Sequence, residues 1–355
     1  MNPGTPAAEG FYMPAEWRQH RRCWMAWPCR RGLWGEGYDH ACLATASVAR
    51  AIAGFEEVVM LAPPDLVSAA RLQLGRKITV MALPLDDSWS RDVGPIYLSD
   101  ETGRVCAVDW QFNGWGNRWH DFQHDDRVAS ALAAHENMKL FRGPMVLEGG
   151  AVHVDGAGTL LAVEPTLLND NRNPTLDRRQ VEERLSDYFG VLRIIWLEEG
   201  LAGDDTDGHV DNIARFVAPA TVMCAVAHDR SDPDYEPLKR LVEQLAREHD
   251  ALGRPLNVIE VAKPAPRRAE NGAPLLSSYI NFYIANGGVI VPMFDDDEDD
   301  RAAETIARAF PDREVVQVPA LSIIAGGGGI HCITQQQPAG EPVPAEAGTD
   351  EGRPA

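Results

Sequence analysis

Hydrophobic and polar positions along this chain repeat one local pattern: a polar start, a short strand, a turn containing Gly, Asn or Pro, and an apolar strand. Segments of this kind predict β-hairpins. Four of them recur at intervals of 50 to 70 residues, at 91–110, 147–164, 207–227 and 277–294. In the first hairpin, the arms are predicted at 91–98 and 104–110.

Stretches with helical periodicity separate these hairpins. The predicted helices lie near 39–53, 65–74, 127–136, 175–189, 234–249 and 299–309. Residues 330–334 predict a short last strand, and the N-terminal run at 22–28 predicts a strand that could pair with it. The four hairpins and this closing pair make five units. We therefore predict an α/β fold whose repeated unit closes into a ring, as in propellers, which leaves few exposed sheet edges.

The composition is that of an ordinary globular protein, since the 355 residues are 45% hydrophobic and 24% charged. We predict a single catalytic domain at 11–338 and a disordered tail at 339–355, because the tail is rich in Pro, Gly and Glu and poor in large apolar residues. The formal net charge of -20 argues against nucleic acid and against an anionic membrane as partners, because both need a basic face. Small cations are the more natural ligands.

The sequence predicts a cytoplasmic protein. Its start shows no basic segment followed by an apolar run, and no apolar stretch reaches the length of a membrane span. We expect the cysteines, at positions 23, 29, 42, 106, 224 and 332, to be reduced thiols. A metal site of Cys23 and Cys29 with His20 or His40 would fit no common zinc spacing.

Cys332 is the candidate nucleophile, because it follows the glycine run at 326–329. Glycines allow a sharp bend where a substrate could approach the main chain. Two other interpretations stay open at this point: the cysteine could be a small buried apolar residue, and the glycines could form only a loop. A phosphate-binding loop would need a following Gly-Lys-Ser/Thr or a helix, and Ile-His-Cys-Ile-Thr follows here.

Polar residues that a half-buried strand would not need stand at the hairpin starts. They are Asp92, Glu148, His209, Asp211 and Cys332. If the units surround an axis, these side chains meet at its centre. Alternation along a strand would place His209 and Asp211 on one face and turn His331 away from Cys332. We therefore interpret His209 as the partner of the nucleophile and His331 as a core or supporting residue.

Three carboxylates around one thiol do not suit ordinary acyl transfer, because they would raise the pKa of the thiol and repel a developing oxyanion. They do suit a cationic substrate. A guanidinium is planar, stays charged at neutral pH and presents forked N–H donors that match carboxylates. Asp92 and Asp211 could hold it from two sides, and Glu148 could complete the grip or handle a proton. The bound charge would help to hold Cys332 as a thiolate.

The segments that carry these residues resemble the agmatine deiminase family over 11–338. They read MPAEWRQHRRCWMAWP, DDSWSRDVGP, VLEGGAVHVDG, DDTDGHVDNIARF, SSYINFYIANGGVIVPMFDD and GGGGIHCITQQQP. The resemblance implies the pentein fold, a five-bladed α/β propeller with pseudo-fivefold symmetry. It also implies hydrolysis of agmatine to N-carbamoylputrescine and ammonia, without a cofactor or metal, through a thiouronium intermediate on the cysteine. By motif position, the resemblance makes Cys332 the nucleophile, His209 the acid/base, and Asp92, Asp211 and Glu148 the guanidinium ligands.

The far end of the substrate is the least defined part of this interpretation. Trp89, Trp115 and Asp205 are the candidates for contacting it. The chain also departs from the family's usual pattern at 29–34 and has a shorter segment at 262–276. The alternatives are a deiminase or amidinotransferase for another guanidine, such as arginine or peptidyl arginine, and a non-catalytic pentein binding protein. A homo-oligomeric state stays open.

Overall fold

A computed structural model describes residues 2–269 and 272–345 of the protein. The strands in its first half are β1 His20–Ala26, β2 Glu57–Ala62, β3 Thr79–Ala82, β4 Ile96–Ser99, β5 Arg104–Gln111, β6 Leu140–Val146, β7 Val152–Val154, β8 Thr159–Val163 and β9 Arg193–Leu197. The later strands are β10 Ala214–Ala218, β11 Thr221–Val226, β12 Asn257–Ala262, β13 Arg267–Arg268, β14 Pro274–Leu275, β15 Tyr283–Ala285, β16 Gly288–Met293, β17 Glu314–Pro319, β18 Thr334–Pro338 and β19 Glu341–Pro342.

Five sheets of the described chain share one arrangement, in which an antiparallel pair is followed by a third strand parallel to the second. Four of them are the predicted hairpins with one added strand: β4–β5–β6, β7–β8–β9, β10–β11–β12 and β15–β16–β17. In the fifth sheet, β18 from the C-terminal part pairs antiparallel with β1, and β2 and β3 follow in parallel. The predicted pairing of the first and last strands is confirmed.

Helices lie in the parallel crossovers, the connections that parallel strands need, and in the described chain two further short helices lie between one sheet and the next. The helices are α1 Arg31–Trp34, α2 Tyr38–Ile52, α3 Val67–Leu74, α4 Ser90–Val93, α5 Gly114–Asn117, α6 Val128–His135, α7 Glu164–Leu167, α8 Arg178–Phe189, α9 Tyr235–Leu245, α10 Asp299–Ala309 and α11 Leu321–Ile324. All six predicted helices are confirmed, as α2, α3, α6, α8, α9 and α10. The largest difference in their bounds is at the end of α9, which was predicted at 249 and lies at Leu245.

Helix α9 shows why these segments form helices and where they pack. Its apolar residues Leu238, Leu241 and Leu245 recur at three- and four-residue spacing, and all three are buried. A helix with one apolar stripe of this kind buries that stripe against the sheet and leaves its charged residues in water. The strands beneath are continuous apolar runs, such as Val222 to Ala225 of β11, because they are covered on both faces.

Two strand predictions were wrong at the polar ends of the sheets. The strand expected at 330–334 begins only at Thr334, because a turn precedes it in which the Thr334 hydroxyl donates to the carbonyl oxygens of Ile330 and His331. The arm expected at 91–98 begins at Ile96, because Ser90–Val93 form a short helical turn that ends before Gly94 and Pro95. Local hydrogen bonds in these turns replace the ladder bonds of a strand.

The expected disorder of the tail does not hold for residues 339–345. Here β19 pairs in parallel with the start of β5, and the Val343 amide donates to the Val105 carbonyl oxygen. The start of β5 lies beyond its pairing with β6 and offers free backbone groups, which a short segment can satisfy. The rest of the predicted tail, 346–355, lies outside the described residues. No helix in the described ranges has the length and apolar character needed to span a membrane.

Candidate active site

The polar ends of the sheets converge on one side of the molecule. Asp92 lies in α4, and Glu148 directly precedes the 3-10 turn Gly149–Ala151. His209 directly precedes the 3-10 turn Val210–Asn212, and Asp211 lies within that turn. Cys332 lies in the turn before β18. The expected side chains therefore come together, although helical turns rather than strand starts carry them. Because these residues are not in strands, their side chains do not alternate between two faces of a sheet.

Asp92 is held by two donors. Its Oδ1 accepts a hydrogen bond from the Gly150 amide at 2.9 Å, and its Oδ2 accepts one from the Trp115 indole Nε1 at 2.9 Å. His209 Nδ1 lies 3.8 Å from Asp92 Oδ1. Burial raises the pKa of Asp92, and the charges of Asp211 and Glu148 add to this, against the opposing effect of His209.

Asp211 lies fully buried opposite Asp92. Its Oδ2 contacts His331 Nδ1 at 2.7 Å and is 3.8 Å from Cys332 Sγ. Its Oδ1 has no hydrogen-bond partner within the described ranges. Burial alone would raise the pKa of Asp211, but His331, His209 and Arg215 together lower it, so the group is a carboxylate with one free oxygen. The expectation that His331 points away from Cys332 was wrong, because both side chains approach the same carboxylate oxygen.

Gly150 is the point around which these groups gather. A Cβ atom placed on it would lie 2.6 Å from His209 Nδ1, 3.0 Å from Asp92 Oδ1 and 3.1 Å from Asp211 Oδ2. Contacts below about 3.0 Å do not occur for real Cβ atoms. The missing side chain therefore lets a histidine and two carboxylates face each other.

Neither Glu148 nor Asp211 lines the cavity that contains Cys332, and both are fully buried. Glu148 Oε1 accepts a hydrogen bond from Arg172 Nε at 2.7 Å, and both side chains are fully buried. Its Oε2 has no hydrogen-bond partner in the part of the chain that the structure describes. Because its charge raises the pKa of His209, Glu148 acts electrostatically on the imidazole as the protein stands.

His209 favours the charged form. Burial lowers its pKa, but the carboxylates of Asp92, Glu148, Asp211 and Asp204 outweigh this effect and raise it. The backbone amide of His209 donates to Asp204 Oδ2 at 3.2 Å, which fixes the turn. Its Nε2 has no hydrogen-bond partner in the described residues. An imidazolium with a free nitrogen can give a proton to a leaving group.

Cys332 is 7% exposed and lines the cavity. Asn281 Nδ2 lies 3.3 Å from its Sγ. Burial, followed by the charges of Asp211 and Asp92, raises the pKa of Cys332 well above its usual value, while Gly329 and Asn281 oppose the shift. The groups of the protein alone thus favour a thiol, and a nucleophilic thiolate requires added positive charge.

The three residues proposed for the far end line the cavity that contains Cys332. Trp89 packs against Trp34 with ring centroids 5.9 Å apart, and Trp115 is fixed by its bond to Asp92. The Asp205 side chain is 81% exposed and pairs with Arg118 at 3.1 Å. The other lining residues are Leu33, Asp92, Arg118, Trp119, Thr206, His209, Asn212 and Gly326, Gly327 and Gly328.

Sequence reasoning missed Asn281, Arg172 and Arg118. Asn281 interrupts the apolar run SSYINFYIA and lies just before β15, and a polar residue in a run that predicts a buried strand is a usable signal. Arg172 and Arg118 lie in polar loops, where nothing distinguishes them from solvated residues. Their partners, Glu148 for Arg172 and Asp205 and Asp207 for Arg118, can be identified only from the fold.

Comparison with known proteins identifies related sequences and structures. A family model described as Porphyromonas-type peptidyl-arginine deiminase matches residues 12–338. The agmatine deiminase of Pseudomonas aeruginosa is 44% identical over 362 residues, which cover 95% of this chain and 98% of that protein. The solved agmatine deiminase of Enterococcus faecalis superposes with a TM-score of 0.92 at 35% identity and covers 96% of this chain and 99% of its own.

A more distant solved structure, the DDAH of Pseudomonas aeruginosa, superposes with a TM-score of 0.50 at 15% identity, covering 90% of this chain and 99% of its own. At that identity the likeness concerns the fold alone. The fold is the α/β pentein fold, in agreement with the repeated sheets described above. The chain belongs to the agmatine deiminase family, within the Porphyromonas-type peptidyl-arginine deiminases.

Proposed function

We propose that this protein is an agmatine deiminase, a hydrolase that converts agmatine and water to N-carbamoylputrescine and ammonia. The observation that carries the proposal is the convergence of Asp92, Asp211 and His209 around Gly150, with Cys332 Sγ 3.8 Å from Asp211 Oδ2, beside a cavity whose lining includes Trp89 and Trp115. The names of the relatives support the choice of agmatine.

The two aspartates would bind the guanidinium. Asp211 offers a buried oxygen that has no partner among the described residues, and Asp92 lies close to His209, with its Oδ1 beside Gly150 as Asp211 Oδ2 is. A planar cation with forked N–H donors can bond both carboxylates at once, which places its central carbon near the sulfur. This charge offsets Asp211 and Asp92, the two carboxylates that raise the pKa of Cys332, so the thiol can release its proton to solvent.

The thiolate of Cys332 then attacks the guanidinium carbon and forms a C–S bond. The His209 imidazolium donates a proton to one amino group, and the C–N bond breaks to release ammonia and leave a thiouronium on the sulfur. Neutral His209 takes a proton from water as the water oxygen attacks the same carbon. When the C–S bond breaks, the hydroxyl proton passes to the sulfur, which restores the thiol and leaves the substituted urea.

Glu148 would stabilise the imidazolium. Its charge raises the pKa of the His209 imidazole, and Arg172 fixes the orientation of the Glu148 carboxylate. We assign to Glu148 the task of keeping His209 protonated until ammonia leaves.

Charged residues of both signs at the cavity mouth bear on the choice between candidate substrates. Asp205 is exposed there and would attract the terminal ammonium of agmatine, between the walls formed by Trp89 and Trp115. Arg118 lines the same cavity and pairs with Asp205. A cation at this position would also suit a carboxylate, which makes a deiminase for arginine the second candidate function.

Ammonia release from agmatine, arginine and a peptidyl arginine, measured side by side, tests the proposal. We expect the largest kcat/KM for agmatine, with N-carbamoylputrescine as the product. A larger value for arginine would establish the second candidate. If no guanidine released ammonia, the chain would be a binding protein instead. Its cytoplasmic location stays a prediction from the sequence, and a homo-oligomeric state stays open.

A further inference from the structure

A chain of three buried side chains, Glu16–His331–Asp211, lies beneath the site. His331 Nδ1 is 2.7 Å from Asp211 Oδ2, and His331 Nε2 is 2.9 Å from Glu16 Oε1. His331 and Asp211 are fully buried, and Glu16 is 4% exposed. None of the steps proposed above uses Glu16 or His331.

The two contacts of His331 favour a particular set of hydrogen bonds when both carboxylates are ionised. An ionised carboxylate only accepts hydrogen bonds, whereas a neutral imidazole has one donor nitrogen and one acceptor nitrogen. A neutral His331 would therefore hold its acceptor nitrogen within 3 Å of a carboxylate oxygen, where two lone pairs repel each other. Only the imidazolium donates from both nitrogens.

Buried cations on neighbouring elements keep Glu16 ionised. Arg215 donates to Glu16 Oε2, and Arg91 Nη1 lies 3.5 Å from Glu16 Oε1. His153 Nε2 also lies 3.6 Å from Glu16 Oε2, but burial lowers the pKa of His153 to about 4, so it is not one of these cations at neutral pH. Burial would raise the pKa of Glu16, but the cations, with His331 the strongest, hold it well below its usual value. Glu16 therefore fixes His331 from the side opposite to the substrate.

Both positively and negatively charged groups surround Asp211. The titratable and charged groups around it are His331, His209, Arg215, Asp92 and Cys332. His331 is the only one of these for which the described residues show a hydrogen bond to Asp211 at less than 3 Å. Without His331, the neighbouring Asp92 charge and full burial would favour a protonated Asp211.

We propose that His331 is a positioning residue that donates from both ring nitrogens, to Glu16 and to Asp211, and thereby keeps Asp211 ionised and leaves its second oxygen free to bind a cation. The identification of that cation as a substrate guanidinium rests on the proposed function. The charge on His331 does not, so the two can be tested separately.

The protonation state can be observed without substrate, by NMR of the full chain labelled with ¹⁵N-histidine. His331, assigned through its backbone, should show two protonated ring nitrogens with slowly exchanging protons at neutral pH. His153 is the internal comparison: it is equally buried and also faces Glu16, but burial lowers its pKa to about 4, so it should show a neutral ring. A neutral His331 ring at neutral pH would overturn the proposal, whatever the enzyme's substrate.

The effect on Asp211 can be measured with His331→Gln, using His153→Gln as the matched control. Both changes replace a fully buried histidine beside Glu16, but only His331 contacts Asp211. His331 lowers the pKa of Asp211, so its loss should raise that pKa and move the acid limb of kcat/KM to higher pH. At neutral pH we expect kcat/KM to fall roughly tenfold to a hundredfold for His331→Gln, the usual range for a charge-assisted hydrogen bond.

The control separates positioning from folding. His153→Gln should leave the acid limb where it is in the wild-type protein. An unmoved acid limb in His331→Gln, or an equal shift in both variants, would contradict the proposal. If His331→Gln does not fold, the NMR measurement on the wild-type protein decides alone.

Discussion

Gly150→Ala is the smallest change that should disable the site while leaving the fold in place. The new methyl group would begin 2.6 Å from His209 Nδ1, and an ordinary contact needs 3.4 Å, so His209 or the turn that carries Gly150 must move by about 0.8 Å. A misplacement of about 1 Å at a reacting group costs roughly a hundredfold in rate. The φ angle of Gly150 is not in the left-handed region, so the alanine itself adds no backbone strain. Overpacking in a dense interior costs about 1–3 kcal/mol of stability.

We therefore expect kcat/KM for agmatine to fall about a hundredfold in Gly150→Ala, with a modest decrease in Tm. Ammonia release and a thermal melt measure the two effects. Gly32→Ala is the control, since a Cβ at Gly32 meets nothing within 4 Å and its φ is also not positive. Wild-type turnover by a folded Gly150→Ala protein would refute the convergence of His209, Asp92 and Asp211 on this point.

Asp92→Asn and Asp211→Asn should each raise KM and lower kcat, so that kcat/KM falls by about tenfold or more, because each change removes a charged contact that also positions the guanidinium carbon. Wild-type kinetics in both variants would refute guanidinium binding by the two aspartates. Alkylation of Cys332 by iodoacetamide should need alkaline pH in the protein alone, and guanidinium ion should shift its midpoint to lower pH, because the cation offsets the carboxylates that raise the pKa of the thiol. A midpoint that guanidinium ion leaves unchanged would contradict substrate-assisted ionisation. Ammonia release should survive EDTA, and a loss that one metal ion restores would refute the metal-free reaction.

The repeated architecture could be predicted because its signals are local. Each hairpin has its strands and turn within about twenty residues, and the helices follow from apolar periodicity. Even the pairing of β1 with β18, strands more than 300 residues apart, follows once four complete units and two leftover strands are counted. The side chains that meet at the site were predicted for the same reason, as polar residues at equivalent ends of repeated units.

The residues that position the active-site side chains could not be predicted, because their roles depend on contacts between segments far apart in the sequence. Glu16 and His331 are 315 residues apart, and Glu16 lies in a loop with no repeated pattern. The turns that carry Cys332 and Asp211 were predicted as strands, since short apolar runs look alike in either form. That error produced the wrong orientation for His331, whose link to Asp211 requires the turn.

The nucleophile is the central claim, and the adduct on it is its most direct test. His209→Ala should slow hydrolysis more than attack, because the water step loses its base. Acid-quenched His209→Ala protein incubated with agmatine should then gain the mass of agmatine minus ammonia, on the peptide that contains Cys332. Cys332→Ser should abolish both turnover and the adduct, since a serine hydroxyl in this carboxylate-rich site is too weakly ionised to attack. An adduct on Cys23, Cys29, Cys42, Cys106 or Cys224, or wild-type turnover by Cys332→Ser, would contradict the account.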